Sequence, residues 1–383
     1  MIPMRELLNW LREREPAMVR LLGRMVAIES PSRDKAAVDR FGSMIAAEWR
    51  RRNARITLLR QREFGDHVRA EIWLGRGHAE KQLLVLGHLD TVYPAGTLAE
   101  TPFRIAGGRA WGPGTFDMKG GQAIALFAVD ALRALRILMR RKIVFLWTSD
   151  EEIGSTVSRG AIERAARRSA AVFVLEPAFG SNGRLKTERK GVGEAELIVT
   201  GRSAHAGIDP QKGVNAVHEL ALQIARLLKL NDPKRGITLQ ANVITGGTVT
   251  NVVAEHARAS IDVRVARAAD ARAVNRKLHT LRPILPGARI EIRGGINRPP
   301  MERTPEARAL FLHARRLAHQ MGIRLGEGST GGGSDGNFTA ALGIPTLDGL
   351  GAVGDGAHSP RENVITRSLP ERAALLAGLL ATL

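Results

Sequence analysis

The chain has 383 residues, no cysteine and a formal net charge of +19. Its length predicts two or three domains, and a hydrophobic content of 44% is enough for a full core. The lack of cysteine excludes disulfide bonds and cysteine metal ligands. The amino-terminal segment is charged throughout, and no apolar run approaches the ~18 residues of a membrane helix, so we expect a cytoplasmic protein without a membrane partner.

The first half of the chain alternates helices with apolar strands. Residues 5–28 are predicted to be helical with a break at Pro16, and Asp34 is predicted to cap a helix that ends near residue 52. The strands predicted after it are 54–60, 68–74, 82–90, 142–152 and 170–177, with helices from just after Gly121 to about residue 139 and at 158–169 between the later ones. Continuous apolar strands between helices indicate an α/β sheet covered on both faces.

The pattern changes between residues 188 and 295, where strand, helix, strand, strand, helix and strand follow one another. This order predicts a small α+β unit inserted into the larger domain. The α/β character resumes afterwards and ends with a helix at 369–382. We therefore predict a catalytic domain formed by residues 1–187 and 296–383, with residues 188–295 as the inserted domain.

The basic net charge has two functional interpretations, which are nucleic-acid binding and attraction of anionic substrates. The simpler interpretation is a solvated, arginine-rich surface. Basic residues are spread along the chain, and aromatic residues make up only 4% of it, so platforms for base stacking are scarce. No nucleic-acid-binding motif is present. A basic nucleic-acid-binding protein with a vestigial metal site is retained as the alternative to an enzyme.

Histidine and acidic residues follow the ends of the predicted strands or lie in glycine-rich loops, where open α/β sheets place their ligand-binding groups. Each has a simpler interpretation on its own, such as a structural histidine, a helix cap or a solvated acidic turn. Together they provide two imidazoles and three carboxylates for two divalent ions, with zinc favoured and cobalt or manganese as alternatives. The candidate ligands and their neighbours are His88, Asp90, Asp117, Glu151, Glu152, Glu176 and His358.

Two local patterns suggest separate roles within this set. The carboxylate of Asp90 can accept a hydrogen bond from the second imidazole nitrogen of His88 and fix its tautomer. Glu151 and Glu152 follow a strand, and in extended backbone adjacent side chains point in opposite directions. One of them can then bind a metal while the other faces a water molecule. Asp117 is flanked by glycines and can bridge two ions.

Six motifs occur in a fixed order: GHLDTV, GTFDMKGG, SDEEIGS, LEP, GRSAHAG and GAHSP. With them the chain resembles the di-zinc exopeptidases and amidohydrolases that include glutamate carboxypeptidase, aminoacylase, carnosinase-like dipeptidases and succinyl-diaminopimelate desuccinylase. The segment from Thr330 to Pro360 is most similar to the glutamate carboxypeptidase branch. The resemblance implies a mixed-sheet catalytic domain, an inserted lid and dimerisation domain, and a homodimer.

The resemblance also implies a role for each candidate. Asp117 bridges the two ions, and a cis peptide bond follows it. His88 and Glu176 complete the ligands of one ion, and Glu152 and His358 complete those of the other. Asp90 orients His88, and Glu151 is the general base. His205 matches a lid histidine that reaches a neighbouring subunit's active site. The implied substrate contacts are Asn251, Arg298, Thr330 and Gly333.

The implied activity is cleavage of a peptide or acyl-amide bond next to a free carboxylate. The first alternative is an N-acyl-amino-acid deacylase on the same scaffold, because pocket shape decides the substrate. The stretch around Arg184, Lys186 and Lys190 is more basic than its counterpart in glutamate carboxypeptidases, which leaves the preference for glutamate open.

Overall fold

The structure is a computed structural model that describes residues 2–75 and 79–383. The chain forms two compact units. The first comprises residues 1–188, 303–330 and 334–383, and the second comprises residues 189–302 and 331–333. Within the described residues, every helix is too short or too polar to span a membrane.

Helices and strands alternate along most of the chain. The helices are α1 (Met4–Arg12), α2 (Glu15–Val26), α3 (Lys35–Arg51), α4 (Thr97–Glu100), α5 (Gly120–Ala134), α6 (Arg159–Arg167), α7 (Ala216–Leu228), α8 (Ala268–His279), α9 (Pro305–Gln320), α10 (Gly336–Ala341) and α11 (Ser368–Thr382). The strands are β1 (Arg55–Leu59), β2 (His67–Ile72), β3 (Gln82–His88), β4 (Arg104–Ala106), β5 (Arg109–Trp111), β6 (Ile143–Thr148), β7 (Ser169–Val174), β8 (Leu185–Arg189), β9 (Gly191–Thr200), β10 (Thr238–Gly246), β11 (His256–Val265), β12 (Arg289–Arg298), β13 (Glu327–Thr330), β14 (Thr346–Leu347), β15 (Gly354–Asp355) and β16 (Asn363–Ile365).

The main sheet of the first unit has the strand order β1-β2-β6-β3-β7-β14. Strands β6, β3, β7 and β14 are parallel, whereas β1 and β2 join the edge in antiparallel fashion. The sheet is therefore mixed, as the resemblance implies. Two smaller sheets accompany it, with the orders β15-β16-β5-β4 and β13-β8.

Strand β3 shows why its apolar run is continuous. Alternate side chains point to opposite faces of a strand, and both faces of this sheet are covered. Leu83 and Val85 pack into the core shared with α1, α2, α3, α5, α9 and α11. Leu84 and Leu86 pack into a second core with residues of α6 and α10. All seven residues of β3 are buried.

Most helix boundaries agree with the predicted ones. The break between α1 and α2 falls just before Pro16, which lies in the first turn of α2. Asp34 caps α3 by accepting a hydrogen bond from the Ala37 backbone N–H at 2.9 Å. Helix α5, however, begins at Gly120 and ends at Ala134, five residues before the predicted end at residue 139. Arg136 adopts a φ of 52°, and this left-handed conformation does not continue a right-handed helix.

The second unit is an antiparallel four-stranded sheet in the order β10-β11-β9-β12. Its elements follow the predicted order along the chain. Strand β9 alternates buried and more exposed residues, as expected for a sheet with one covered face. Helices α7 and α8 cover that face, with residues such as Leu220 and Leu278 in a core that is separate from those of the first unit.

Candidate metal centre

Three parallel strands place polar side chains at one edge of the main sheet. Strand β3 ends at His88, β6 ends just before the turn Glu151–Ile153, and β7 ends two residues before Glu176. Because β6, β3 and β7 are neighbours, the segments after their carboxyl ends lie side by side, where α/β sheets bind ligands.

Two turns bring further groups to this edge. Asp117 lies in the kinked segment Thr115–Lys119 between β5 and α5. The peptide bond from Asp117 to Met118 is cis, as the resemblance implies. His358 lies in the turn that connects β15 and β16 and adopts a φ of 60°. The strand ends and the two turns all belong to the first unit.

Asp117 stands between the two histidines. Its Oδ1 atom lies 3.1 Å from His88 Nε2, and its Oδ2 atom lies 3.5 Å from His358 Nε2. Each histidine has one further carboxylate neighbour. His88 Nε2 lies 3.6 Å from Glu176 Oε1, and His358 Nε2 lies 3.3 Å from Glu152 Oε2. The five side chains thus form two sets that share Asp117.

These distances fit divalent ions. A tetrahedral zinc ion with ligand bonds of about 2.1 Å holds its ligand atoms about 3.4 Å apart, which lies within the observed range of 3.1–3.6 Å. Nitrogen and carboxylate ligands suit zinc and also cobalt or manganese. The residues present therefore match a site for two ions with one bridging carboxylate.

Glu151 lies beside the first set. Ligand atoms of His88, Glu151 and Glu176 are all within 4.8 Å of one another, and so are those of His88, Asp117 and Glu152. Glu151 and Glu152 occupy a short helical turn, so the prediction of an extended backbone at this pair was wrong. The backbone N–H groups of both residues point to the carboxylate of Asp90, at 3.3 and 3.2 Å, which turns the chain.

Asp90 lies against His88 through both its backbone and its carboxylate. His88 Nδ1 lies 2.9 Å from the backbone carbonyl oxygen of Asp90 and 3.5 Å from its carboxylate. The carboxylate also accepts from the hydroxyl of Ser32 at 2.8 Å and from the turn at Glu151. The imidazole is thus oriented mainly by a backbone acceptor, which leaves Nε2 to face Asp117.

The charged groups of this cluster shift one another's pKa values. Burial acts to lower the pKa of His88, but hydrogen bonds with Asp117 and Asp90 outweigh burial and raise it well above its usual value. Hydrogen bonds with Asp117 and Glu152 raise the pKa of His358 to about 10. Burial favours neutral Asp117, yet its hydrogen bonds with the two imidazoles hold its pKa below the usual range. Burial raises the pKa of Glu152.

Several residues that the sequence patterns did not single out support the cluster. Besides Ser32, the side-chain amide of Gln122 donates to the backbone carbonyl of His88 at 2.5 Å. The buried carboxylate of Glu362 accepts hydrogen bonds from backbone N–H groups beside Asp117 and from the hydroxyl of Tyr93. Burial raises the pKa of Glu362 to about 7, against the opposing effect of these donors.

The second unit contains most of the predicted substrate contacts. His205 is exposed, and its Nδ1 accepts from the backbone N–H of Gly207 and of Ile208, both at 3.1 Å. Asn251 lies beside it, because its carbonyl oxygen accepts from Ala206 N–H at 2.9 Å. The structure therefore brings His205 and Asn251 together on one surface.

The remaining predicted contacts lie in two places. Arg298 is 9% exposed at the end of β12, and a Cβ added to Gly333 would lie 3.0 Å from its Cδ atom, so these two residues are neighbours in the second unit. Thr330 ends β13 in the first unit. The contacts of these residues with substrate stay predictions.

The basic stretch that departs from the family pattern is partly buried. The guanidinium of Arg184 stacks over the ring of Phe179, 4.4 Å from its centre. Lys186 is 8% exposed, and its backbone pairs with that of Asp348. Lys190 is half-buried. A role of these residues toward substrate stays open.

The chain is similar to known proteins over most of its length. Residues 84–382 match the model of Peptidase family M20/M25/M40. The chain is 31% identical over 379 residues to carboxypeptidase G2 from Pseudomonas sp. (strain RS-16), covering 97% of this chain and 90% of that protein. It is 30% identical over 333 residues to succinyl-diaminopimelate desuccinylase from Dechloromonas aromatica (strain RCB), covering 82% and 86%. Its fold is similar to aminopeptidase PepT from Bacillus cereus, with a TM-score of 0.78, 20% identity and coverage of 96% and 98%.

Proposed function

Because the chain belongs to peptidase family M20/M25/M40, we propose that it is a two-metal exopeptidase that cleaves an amide bond next to a free carboxylate, in the manner of a glutamate carboxypeptidase. The observation that carries the proposal is the position of Asp117. Its two oxygens lie 3.1 and 3.5 Å from the facing nitrogens of His88 and His358, and a carboxylate placed between two imidazoles can bridge two ions.

Each ion site would use three side chains. His88, Asp117 and Glu176 form one site, and His358, Asp117 and Glu152 form the other. Bound divalent ions supply Lewis acidity that polarises a carbonyl and acidifies water. Asp90 would orient two of these ligands, because it contacts the ring of His88 and the backbone N–H of Glu152.

Glu151 is the proposed general base. Its carboxylate lies within 4.8 Å of the ligand atoms of His88 and Glu176, whereas Glu152 pairs with His358 at 3.3 Å. Glu151 is also buried, with 8% exposure. It would take a proton from the attacking water and deliver it to the leaving amine.

The second unit would supply substrate contacts. Arg298 offers a planar guanidinium that binds a carboxylate through two hydrogen bonds, and the neighbouring Gly333 has no side chain to obstruct it. Asn251 offers an amide beside His205, and Thr330 in the first unit offers a hydroxyl. In this proposal Arg298 and Asn251 hold the free carboxylate of the substrate, which restricts cleavage to a terminal residue.

The proposed assembly is a homodimer in which His205 serves the active site of the partner copy. Strand β10 lies at the edge of its sheet, and Val243 and Ile244 on it are 58% and 57% exposed. An exposed apolar edge strand is a template for pairing with another strand. Leu222 and Leu228 of helix α7 are also exposed, at 41% and 44%, so a second copy would cover apolar surface on both elements.

A second candidate activity is deacylation of N-acyl amino acids. It is favoured by the 30% identity to a succinyl-diaminopimelate desuccinylase over 82% of this chain. Both activities need the same ions and the same base, and they differ in the group that is removed. The cytoplasmic location and the nucleic-acid-binding alternative are untested predictions.

Metal analysis together with a substrate panel tests the proposal. Purified protein should contain two divalent ions per chain and should release glutamate from N-acyl-glutamates faster than it deacylates the N-acetyl or N-succinyl derivatives of other amino acids. Faster deacylation of the second group would favour the alternative activity. Salt-sensitive binding of duplex DNA by a protein without ions or hydrolase activity would contradict both.

A further inference from the structure

One buried carboxylate connects the two turns that carry Asp117 and His358. Glu362, four residues after His358, is 1% exposed. Its Oε1 atom accepts from the backbone N–H of Phe116 at 2.7 Å and of Asp117 at 2.8 Å. Its Oε2 atom accepts from the backbone N–H of Gly114 at 2.8 Å. Glu362, which follows the turn of His358, thus accepts hydrogen bonds from three backbone N–H groups at and before Asp117.

Tyr93 adds a fourth donor from a third part of the chain. Its hydroxyl donates to Glu362 Oε2 at 2.6 Å and lies 3.0 Å from the carbonyl oxygen of Ser359. Ser359 follows His358 directly, and its carbonyl also accepts from Glu362 N–H at 3.1 Å. The hydroxyl therefore touches the turn of His358 on one side and the shared carboxylate on the other.

We propose that Glu362 is a positioning residue of the metal centre, which with Tyr93 fixes the turn of Asp117 relative to the turn of His358. The inference depends on the two-ion site proposed above. His358 Nε2 must stay near Asp117 Oδ2, which is 3.5 Å away, for the two residues to share an ion. The side chain of His358 is 51% exposed, so packing alone restrains it little.

The carboxylate matters because both of its oxygens accept hydrogen bonds. A glutamine at position 362 keeps one acceptor oxygen but places an NH₂ group opposite either the two donors at Oε1 or the two donors at Oε2. The NH₂ group then faces other donors, and the hydrogen bonds at that oxygen position are lost. Removal of the Tyr93 hydroxyl in Tyr93→Phe is milder, because it takes away one donor and leaves the three backbone contacts of Glu362.

Glu219 provides a matched control in the second unit. It is 0% exposed, and its carboxylate accepts from the Gln223 side chain and from the backbone N–H of Ile284 and Leu285. Glu219→Gln therefore removes the same kind of buried acceptor from helix α7, which carries no proposed metal ligand. A loss of metal affinity that comes only from general destabilisation should appear equally in this control.

The experiment is a zinc titration of metal-free wild type, Glu362→Gln, Tyr93→Phe, Glu219→Gln and His358→Ala against a chelator of known affinity. We expect two ions in the wild type and in the Glu219 variant. In the Glu362 variant, the affinity of one ion should fall about 10- to 100-fold, and this ion should be the one that His358→Ala removes. The Tyr93 variant should show a smaller fall in the same step.

A second readout uses the single tyrosine of the chain. Protein grown with 3-fluorotyrosine gives one ¹⁹F signal from position 93, and zinc should shift it in the wild type and in Glu219→Gln at the same concentration. In Glu362→Gln the shift should require about 10- to 100-fold more zinc.

The outcomes separate the inference from the proposed function. A wild type that binds no zinc would remove the two-ion site itself. Two tight ions in the wild type and in both the Glu362 and Tyr93 variants would overturn the positioning role, and so would an equal loss of affinity in Glu219→Gln. If Glu362→Gln does not fold, the Tyr93 variant decides, because it alters a single hydroxyl.

Discussion

Replacement of Asp117 with asparagine should weaken both ion sites together. One oxygen of this carboxylate faces His88 Nε2 at 3.1 Å, and the other faces His358 Nε2 at 3.5 Å. An asparagine of the same size keeps one oxygen and presents an NH₂ group in place of the other. The NH₂ group does not bind a cation, and the negative charge that offsets two divalent ions is lost.

The size of the effect follows from the number of ligands. A zinc site with four ligands binds with about 10–16 kcal/mol, so one ligand contributes about 2.5–4 kcal/mol on average. Since a tenfold change in affinity equals about 1.4 kcal/mol, loss of the shared ligand should weaken each site by about 10²- to 10³-fold. His358→Ala should instead weaken only one of the two sites by a similar factor.

The assay is competitive zinc titration followed by thermal unfolding. Asp130→Asn is the matched control, because both oxygens of Asp130 are engaged by Arg52, at 2.8 and 2.6 Å, on helix α5 away from the proposed ligands. It should bind both ions as the wild type does. If Asp117→Asn retains two ions with wild-type affinity, or loses one and leaves the other unchanged, Asp117 is not the bridge.

Three further predictions concern chemistry, pH and assembly. Glu151→Gln should keep both ions and lose about 10²- to 10⁴-fold in kcat; loss of an ion in elemental analysis would make Glu151 a ligand instead. Metal affinity should rise as the pH increases from about 6 toward 10, because the metal must displace a proton from His358, whose pKa in the metal-free protein is about 10; an affinity that is constant between pH 6 and 9 in buffered titrations would contradict this. Ile244→Lys should convert a dimer to monomers of 41.5 kDa in light scattering, because a charge on the edge of β10 opposes strand pairing; an unchanged dimer would exclude β10 from the interface.

The positions of His88 and Glu176 at or just after strand ends could be predicted from the sequence. His88 ends the buried strand β3 and Glu176 follows the largely buried strand β7, and such strands lie in the middle of a parallel sheet whose carboxyl ends meet. These two residues were thus predictable as polar groups placed at the ends of apolar runs. His358 and Asp117, in turns of irregular geometry, were identified by their motifs.

The sequence did not predict the contacts that hold these groups. The chain was expected to be extended at Glu151 and Glu152, but two N–H groups bond to Asp90, which lies about sixty residues earlier. Glu362 gave no signal because its partner Gly114 is 248 residues away. Such long-range hydrogen bonds have no local periodicity, so pattern analysis of a single sequence misses them.

Two ions are proposed to lie on either side of Asp117. Anomalous diffraction from crystals grown with zinc, recorded on both sides of the zinc absorption edge, tests it directly. We expect two peaks about 3.5–4 Å apart, one next to His88 and Glu176 and the other next to Glu152 and His358. A single peak, or peaks at positions that do not touch Asp117, would contradict the claim.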